Sequence, residues 1–161
     1  TLALVHGAAL GGGVGLAACC DIAIAADTAT FALSEVRFGI IPATIGPYVV
    51  AAIGARQARR YFLTAERFGA AEAQRIGLVH DVVPAAELRA VADRVLAGLA
   101  GNGPKAMAEA KALIRAIAGR PIDDALIDDT ARRIARVRAT DEAREGLAAF
   151  LEKRKPSWSG I

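Results

Sequence analysis

The first third of the chain alternates short apolar runs with glycines and polar turns. Short apolar runs bounded by turn residues are typical of strands, and three occur at Leu2 to His6, Ile22 to Ala26 and Thr30 to Leu33. The alanine-rich stretch Gly12 to Cys20 lies between the first two runs and predicts a short helix. This strand–helix–strand order favours an α/β layer with parallel strands.

Beyond Pro42 the pattern changes to one of helices, punctuated by Gly54 and Gly69. The run Val79 to Val83 predicts a last short strand. The predicted helices are Ile45 to Ile53, Ala55 to Thr64 and Ala70 to Ile76.

From Pro84 onward apolar residues recur at helical spacing, and no further strand is predicted. Such apolar stripes must be buried on the core, on each other or on another subunit, so some of them indicate an oligomer interface. The stripes are Leu88, Val91, Val95 and Leu99; Met107, Ala110, Ile114 and Ile117; and Ile122, Leu126 and Ile134.

The composition excludes some classes of protein but does not identify a function. The 161 residues are 54% hydrophobic and 23% charged, which is typical of one globular domain or part of one. The net charge of +3 is spread among acids, so no nucleic-acid partner is predicted. The stretch Gly7 to Cys20 is too short to span a bilayer, and no signal peptide is recognised. We therefore predict a cytoplasmic location without membrane contact.

The two cysteines, Cys19 and Cys20, are adjacent on the predicted helix and cannot pair with each other without strain. They predict buried free thiols in a reducing compartment, and no metal-ligand spacing is present, so no metal is expected. The strand Leu2 to His6 follows directly on Thr1. A buried strand needs neighbours on both sides, so we expect partner strands in a segment upstream.

Five glycines fall between Gly7 and Gly15, directly after the first predicted strand. A dinucleotide-binding G-x-G-x-x-G motif is excluded, because Gly11 and Gly13 would need a glycine where Leu16 stands. Two interpretations remain open. The turn presents free N–H groups at the start of a helix to developing negative charge, or the glycines only allow tight packing of helix on sheet.

A carboxylate, Glu35, follows the third predicted strand among the apolar residues Leu33, Val36, Phe38 and Ile40. Partial loss of water there would suit it to proton transfer. The alternative is an exposed glutamate at the start of a helix.

Five motifs in order resemble the enoyl-CoA hydratase/isomerase (crotonase) superfamily, and the match covers the whole chain. The resemblance implies that residues 1–83 form the C-terminal part of a ββα spiral core. It implies that residues 84–161 form a helical trimerisation region that contacts coenzyme A, in a homotrimer or a dimer of trimers. The motifs are Gly7 to Gly13, Ala18 to Ala26, Phe31 to Pro42, Ala71 to Val79 and Glu145 to Arg154.

The resemblance also implies roles for particular residues. The family's thioester enolate is held by two backbone amides, of which one maps onto Gly12; the other is expected from the upstream segment. Of the two glutamates that hydratases use, the second maps onto Glu35 and the first onto Gly15. A glycine cannot hold water or move a proton. Either Glu35 works alone, another side chain substitutes, or the reaction is not hydration.

A second departure lies at Ala43 to Val50, where many members have a glycine-rich turn followed by Thr-Gln-Arg. Together with Ser34 to Gly39 and Gln57 to Glu66, it is similar to a bacterial methylglutaconyl-CoA hydratase-like branch. Phe150 and Lys153 match positions that contact the adenine and phosphate of coenzyme A. The alternatives are a solvated lysine and a core phenylalanine.

The sequence thus predicts an acyl-CoA-processing lyase that hydrates a 2-enoyl-CoA of the methylglutaconyl type, with no cofactor besides the coenzyme A of its substrate. The first alternative is a double-bond isomerase that uses one glutamate. The second is a non-catalytic CoA-binding or oligomerisation subunit.

Overall fold

The computed structural model describes residues 1–159, which form an α/β chain with a helical C-terminal part, as predicted. The strands form two small sheets. The chain divides into two compact units, one from Thr1 to Arg94 and the other from Val95 onward. The strands are β1 (Leu2–Val5), β2 (Ala8–Leu10), β3 (Ile22–Ala26), β4 (Thr30–Ala32), β5 (Phe68–Gly69) and β6 (Asp81–Val83). The α-helices are α1 (Gly12–Cys19), α2 (Gly46–Thr64), α3 (Ala70–Arg75), α4 (Leu88–Ala100), α5 (Pro104–Ile117), α6 (Asp124–Arg138) and α7 (Asp141–Leu151).

The first sheet has the order β1-β3-β6 and is parallel throughout, with Leu2 opposite Ile22 and Ile24 opposite Asp81. Within the described residues β1 pairs on one side only, and Leu4 is 40% exposed. The burial predicted for this strand is therefore incomplete within the described residues, and the partner strands expected upstream stay a prediction.

The second sheet has the order β2-β4-β5, in which β2 runs parallel and β5 antiparallel to β4. Neither β2 nor β5 is predicted by the sequence pattern. The chain changes sheets between Val5 and Ala8, and the second sheet places the end of β2 beside the end of β4. This arrangement brings the turn before α1 next to the segment that follows β4.

The core of the N-terminal unit lies between these sheets and helices α1, α2 and α3. Phe31 of β4 stacks on Phe68 at 5.6 Å between ring centroids, and Tyr61 of α2 packs on Phe68 at 4.2 Å. Gly54 has φ 74° and ψ 156°, so α2 is interrupted at the glycine where the sequence predicts a break. The Cys19 and Cys20 thiols are free as predicted, but Cys19 is exposed and Cys20 half-buried, which corrects the expected burial.

The C-terminal unit contains helices α5, α6 and α7. Glu142 of α7 accepts hydrogen bonds from the Lys105 and Ala106 N–H groups (3.0 and 2.7 Å), and so caps α5, whose own Gly103 has no side chain to do so. The predicted stripes of α5 and α6 are partly exposed, with Ile114 at 63% and Ile134 at 57%. Ile122, the first residue of the third predicted stripe, lies before α6 and is 87% exposed. No helix among the described residues is both long and apolar enough to cross a membrane.

Candidate active site

The turn from β2 into α1 is formed by Gly11, which has φ 49° and ψ −113°. Its N–H donates to the Ala32 carbonyl of β4 (2.9 Å), which ties the turn to the second sheet. Its carbonyl accepts from the N–H groups of Val14 and Gly15 (3.0 and 3.3 Å). The N–H groups of Gly12 and Gly13 have no acceptor in the described part of the chain, as expected for the first turn of a helix.

The three consecutive glycines, Gly11 to Gly13, differ in what a side chain at each position would meet. Gly11 needs its positive φ, and a β-carbon there would lie 3.2 Å from Glu35 Oε1. A β-carbon on Gly13 would make only an ordinary contact with Ala9, at 3.8 Å. A β-carbon on Gly12 would meet no atom within 4 Å. Packing within this chain therefore does not account for the glycine at position 12.

Glu35 begins a short 3-10 segment, Glu35–Phe38, just beyond β4. Its carboxylate lies against Gly11, and the side chain is half-buried, unlike the exposed glutamate of the alternative interpretation. Glu35 Oε2 is buried and has no hydrogen-bond partner among the described residues. An unpaired buried carboxylate oxygen costs free energy unless a ligand or water pairs with it, so this atom is a candidate acceptor for a group outside the described residues.

Gly15 is buried, and a β-carbon on it would lie 2.2 Å from Ile45 Cγ2 and 2.5 Å from Ile45 Cβ. Such distances exclude any side chain at position 15 unless Ile45 moves. The two departures from the family pattern, Gly15 and the segment that contains Ile45, are therefore in direct contact. Sequence reasoning notes both and misses their contact, because nothing in the local pattern joins residues so far apart along the chain.

Phe150 and Lys153 lie at the end of α7 and just beyond it, in the C-terminal unit. Phe150 is 79% exposed, and Leu147 and Leu151 beside it are exposed as well. The interpretation of Phe150 as a core anchor is therefore wrong for this chain. Lys153 is exposed, with φ 54°, and its N–H donates to the Phe150 carbonyl (3.3 Å). Their predicted contact with coenzyme A remains a prediction.

No cluster of three or more histidine, cysteine, aspartate or glutamate side chains able to hold a metal occurs among residues 1–159. The candidate site consists of Gly12 and Glu35. The N–H of Gly12 is free, and the carboxylate of Glu35 lies against Gly11, the residue before Gly12. This combination can donate a hydrogen bond to developing negative charge and exchange a proton close by.

Comparison with known proteins agrees with the sequence motifs. The profile of the enoyl-CoA hydratase/isomerase family matches residues 1–160. A curated relative in Mycobacterium bovis, named “Probable enoyl-CoA hydratase echA8”, is 38% identical over 160 residues, which cover 99% of this chain and 62% of the relative. The chain thus spans about three fifths of the length of the curated relatives it matches.

Solved structures show the same fold. An enoyl-CoA hydratase from Shewanella pealeana superposes with a TM-score of 0.94 at 49% identity, over 98% of this chain and 59% of the other. AtuE of Pseudomonas aeruginosa superposes with a TM-score of 0.92 at 47% identity, over 98% of this chain and 61% of the other. The family prediction and the crotonase-like fold are confirmed, and the chain belongs to the enoyl-CoA hydratase/isomerase family.

Proposed function

We propose that this chain supplies the proton-transferring carboxylate and one oxyanion donor of an active site that adds water to the C2=C3 bond of a 2-enoyl-CoA. The observation that carries the proposal is the Glu35 carboxylate, with its buried and unpaired Oε2, lying against Gly11 next to the free N–H of Gly12. Membership of the family and the hydratase names of relatives support a CoA thioester as the substrate.

The Gly12 N–H donates a hydrogen bond to the thioester oxygen in this proposal. Negative charge develops on that oxygen as a nucleophile attacks C3, and the positive end of the α1 dipole stabilises it further. A second N–H, supplied by a segment outside this chain, completes the pair of donors. A β-carbon at position 12 would meet only open space, so packing does not explain why this residue is a glycine. Close approach of a ligand to its backbone does explain it.

A single carboxylate balances the hydration. Glu35 takes one proton from water as the water oxygen bonds to C3, and the C2=C3 electron pair moves into the enolate. The protonated Glu35 then returns this proton to C2, which forms the C2–H bond and restores the thioester carbonyl. Water is consumed, no oxidant is needed, and Glu35 ends as it began. General acid–base catalysis of this kind contributes about 10²–10⁴-fold to a rate.

A double-bond isomerase is the second candidate, and the contact of Ile45 with Gly15 favours it. Ile45 leaves no room at position 15 for the second glutamate that the family's hydratases use. Hydration here would have to proceed with Glu35 alone, whereas isomerisation uses one carboxylate in any case. Glu35 would remove a proton from C2 of a 3-enoyl-CoA and return it to C4, through a dienolate whose negative charge lies on the same thioester oxygen.

We further propose a methylglutaconyl-type acyl group, on the similarity of the segments Ser34 to Gly39, Ala43 to Val50 and Gln57 to Glu66 to that branch. The exposure of Phe150 and Lys153 supports their contact with the adenine and phosphate of coenzyme A. Exposed apolar side chains on α5 support a homotrimer or a dimer of trimers. The unpaired cysteines support a cytoplasmic location.

The test compares two substrates on the full-length protein that contains this chain. With 3-methylglutaconyl-CoA, hydration removes the conjugated enoyl-thioester absorbance and yields a 3-hydroxyacyl-CoA that mass spectrometry detects as a gain of one water. With a 3-enoyl-CoA, isomerisation raises the same absorbance at unchanged mass. The hydratase proposal expects the first result. The second result alone would replace it with the isomerase, and neither result, with CoA still bound, would favour a non-catalytic module.

A further inference from the structure

The C-terminal unit contains a cleft of about 830 Å³ that is lined by residues of α5, α6 and α7. Sites for small molecules typically have ~300–1,000 Å³ and mostly apolar walls with a few polar groups. Phe150 and Lys153 are not among the lining residues, so the proposed function gives this cleft no role. Its small and apolar wall consists of Ala106, Ala108, Ala143, Gly146, Leu147 and Trp158.

The wall formed by Trp158 is held in place by the protein itself. The indole Nε1 donates a hydrogen bond to the Gly101 carbonyl (3.2 Å), in the turn before α5. The ring lies against Gly146 of α7, where a β-carbon would be 3.1 Å from Trp158 Cη2. The N–H of Ser157 donates to Glu145 Oε1 of α7 (2.8 Å). The cleft is therefore bounded on this side without any ligand.

Both acids that line the cleft already have partners. Glu109 Oε2 of α5 pairs with Arg136 Nη2 of α6 at 2.9 Å. The Glu142 carboxylate accepts hydrogen bonds from the backbone N–H groups of Lys105 and Ala106 (3.0 and 2.7 Å). Neither carboxylate is left to attract a cation or to pair with a further basic side chain.

Two basic side chains of the cleft, in contrast, are unpaired. The Lys105 ammonium group and the Arg138 guanidinium group have no ion pair or hydrogen bond with any of residues 1–159. Both residues are exposed, and their long flexible stems allow the charged ends to turn towards a ligand. The charge that remains unpaired around this apolar cleft is therefore positive.

We propose that the cleft is a second binding site, which takes an amphiphilic anion. The apolar body of the ligand lies against α5, α7 and Trp158, and its anionic group pairs with Lys105 and Arg138. An apolar body removes the exposed wall from water, and the anion supplies the partner that the two cations lack. This inference goes beyond the proposed hydration and does not depend on it.

Binding is measured by titrating the full-length protein with dodecanoate below the concentration at which it forms micelles. Trp158 lines the cleft, so its emission should change and saturate, with one ligand per chain by calorimetry. A Trp158→Phe variant identifies this signal among those of other tryptophans. Dodecanol and dodecyltrimethylammonium share the apolar body but are neutral and cationic, and we expect dodecanoate to bind more tightly than either.

The charged part of the site is tested by single substitutions. Lys105→Gln and Arg138→Gln should each raise the Kd for dodecanoate about two- to fivefold, the size of one exposed charge interaction. The Kd for dodecanol should stay the same. Arg115→Gln, at an exposed position of α5 outside the cleft, is the matched control and should leave both Kd values unchanged.

The location of the ligand is tested by filling the cleft. Ala108→Phe places a large side chain into it from an exposed position of α5 and should abolish binding of both dodecanoate and dodecanol. Ala110→Phe makes the same change at an exposed position of α5 outside the cleft and should bind both ligands as the parent does. Unfolding midpoints of the two variants show that both are folded.

Dodecanoate that binds to Ala108→Phe as to the parent would overturn the proposal, because the ligand would lie elsewhere. Equal affinities for the three ligands would contradict selection of an anion. No binding at all would show that the rest of the protein or another subunit covers the cleft, and displacement by coenzyme A would assign it to the proposed substrate. These measurements need no turnover, so they judge the cleft even if the protein hydrates no enoyl-CoA.

Discussion

At the scale of single residues, position 12 has a glycine that the described chain does not need. Gly11 is required by its positive φ and by the Glu35 carboxylate, and Gly15 is required by Ile45. Gly12 has neither constraint, and its N–H has no acceptor in the chain as described. A free N–H is usual in the first turn of a helix, and the proposed close approach of a ligand would explain why the residue that carries it is a glycine.

Gly12→Ala is therefore expected to separate folding from activity. The added methyl group meets open space, so the unfolding midpoint stays the same or rises, since alanine is favoured over glycine in a helix by about 0.5–1 kcal/mol. The methyl group obstructs the thioester oxygen, so kcat/KM falls at least ~10-fold, part of the ~10²–10³-fold that one oxyanion donor contributes. Steady-state kinetics and calorimetry of the same preparation check both halves, and unchanged kinetics would contradict the proposed donor.

Sequence reasoning reached Glu35 from a local pattern, an acid among apolar residues. The glycine run by itself left two interpretations open, and only the family resemblance singled out Gly12. Sequence reasoning could not reach Ile45, because the contact with Gly15 depends on how the segment before α2 returns to α1. For Phe150 the sequence left two interpretations, a contact with coenzyme A and a place in the core. The exposed side chain excludes the second of them.

At the scale of elements, α2 and α3 are joined by a polar network at the edge of the core. The Tyr61 hydroxyl, on a buried ring, donates to Glu72 Oε1, and Arg75 Nη2 donates to the same oxygen (2.6 Å). The hydrogen bonds from Arg75 and Tyr61 lower the pKa of Glu72 from 4.5 to about 2. Burial and the bond to Glu72 raise the pKa of Tyr61 from 10.0 to about 12.

The network predicts the direction of acid sensitivity. A carboxyl whose folded-state pKa is lowered stabilises the fold above its unfolded-state pKa, and this stabilisation is lost as pH falls from about 4.5 towards 2. Glu72→Gln is thus expected to lower the unfolding midpoint at pH 7 and to reduce its fall between those pH values. Glu87→Gln, at an exposed glutamate, is the control and should leave the profile unchanged. Equal acid sensitivity in the parent and in Glu72→Gln would contradict this assignment.

The sequence pattern predicted elements well where they are long or strictly apolar. The bounds of β3 match the predicted run, and the break in α2 falls at Gly54. The strands β2 and β5 were missed because they are only three and two residues long, so no period is visible. Glycines flank β2, and Gly69 is itself part of β5. The stripes on α5 and α6 follow helical spacing, but that spacing does not tell which of their residues this chain buries and which it leaves exposed.

At the scale of the whole molecule, the chain leaves apolar surface uncovered in both units. Leu16 and Phe38 are exposed in the first unit, and Ile114 and Ile122 in the second. Large exposed apolar side chains mark interaction surfaces when they are numerous. The chain spans about three fifths of the relatives' length, and proposed partners for this surface are the remaining protein and other subunits.

We expect the full-length protein to sediment as a trimer or as a dimer of trimers. Analytical ultracentrifugation over a range of concentrations measures the mass directly. Ile114→Asp places a charge on the exposed α5 face and should shift the protein towards smaller species if that face is an interface. Asp128→Asn, at an exposed position on α6, is a polar control that should leave the size of the assembly unchanged. A parent protein that remains monomeric at all concentrations would contradict the proposed assembly.

The central claim is that Glu35 transfers the proton in an acyl-CoA reaction, and the most direct test is the kcat/KM of Glu35→Gln. The amide keeps the size of the side chain beside Gly11 but cannot accept and return a proton, so kcat/KM with the enoyl-CoA substrate should fall about 10²–10⁴-fold. The unfolding midpoint should stay close to that of the parent, and Glu87→Gln should retain parental kinetics. A folded Glu35→Gln protein with full activity would contradict the account.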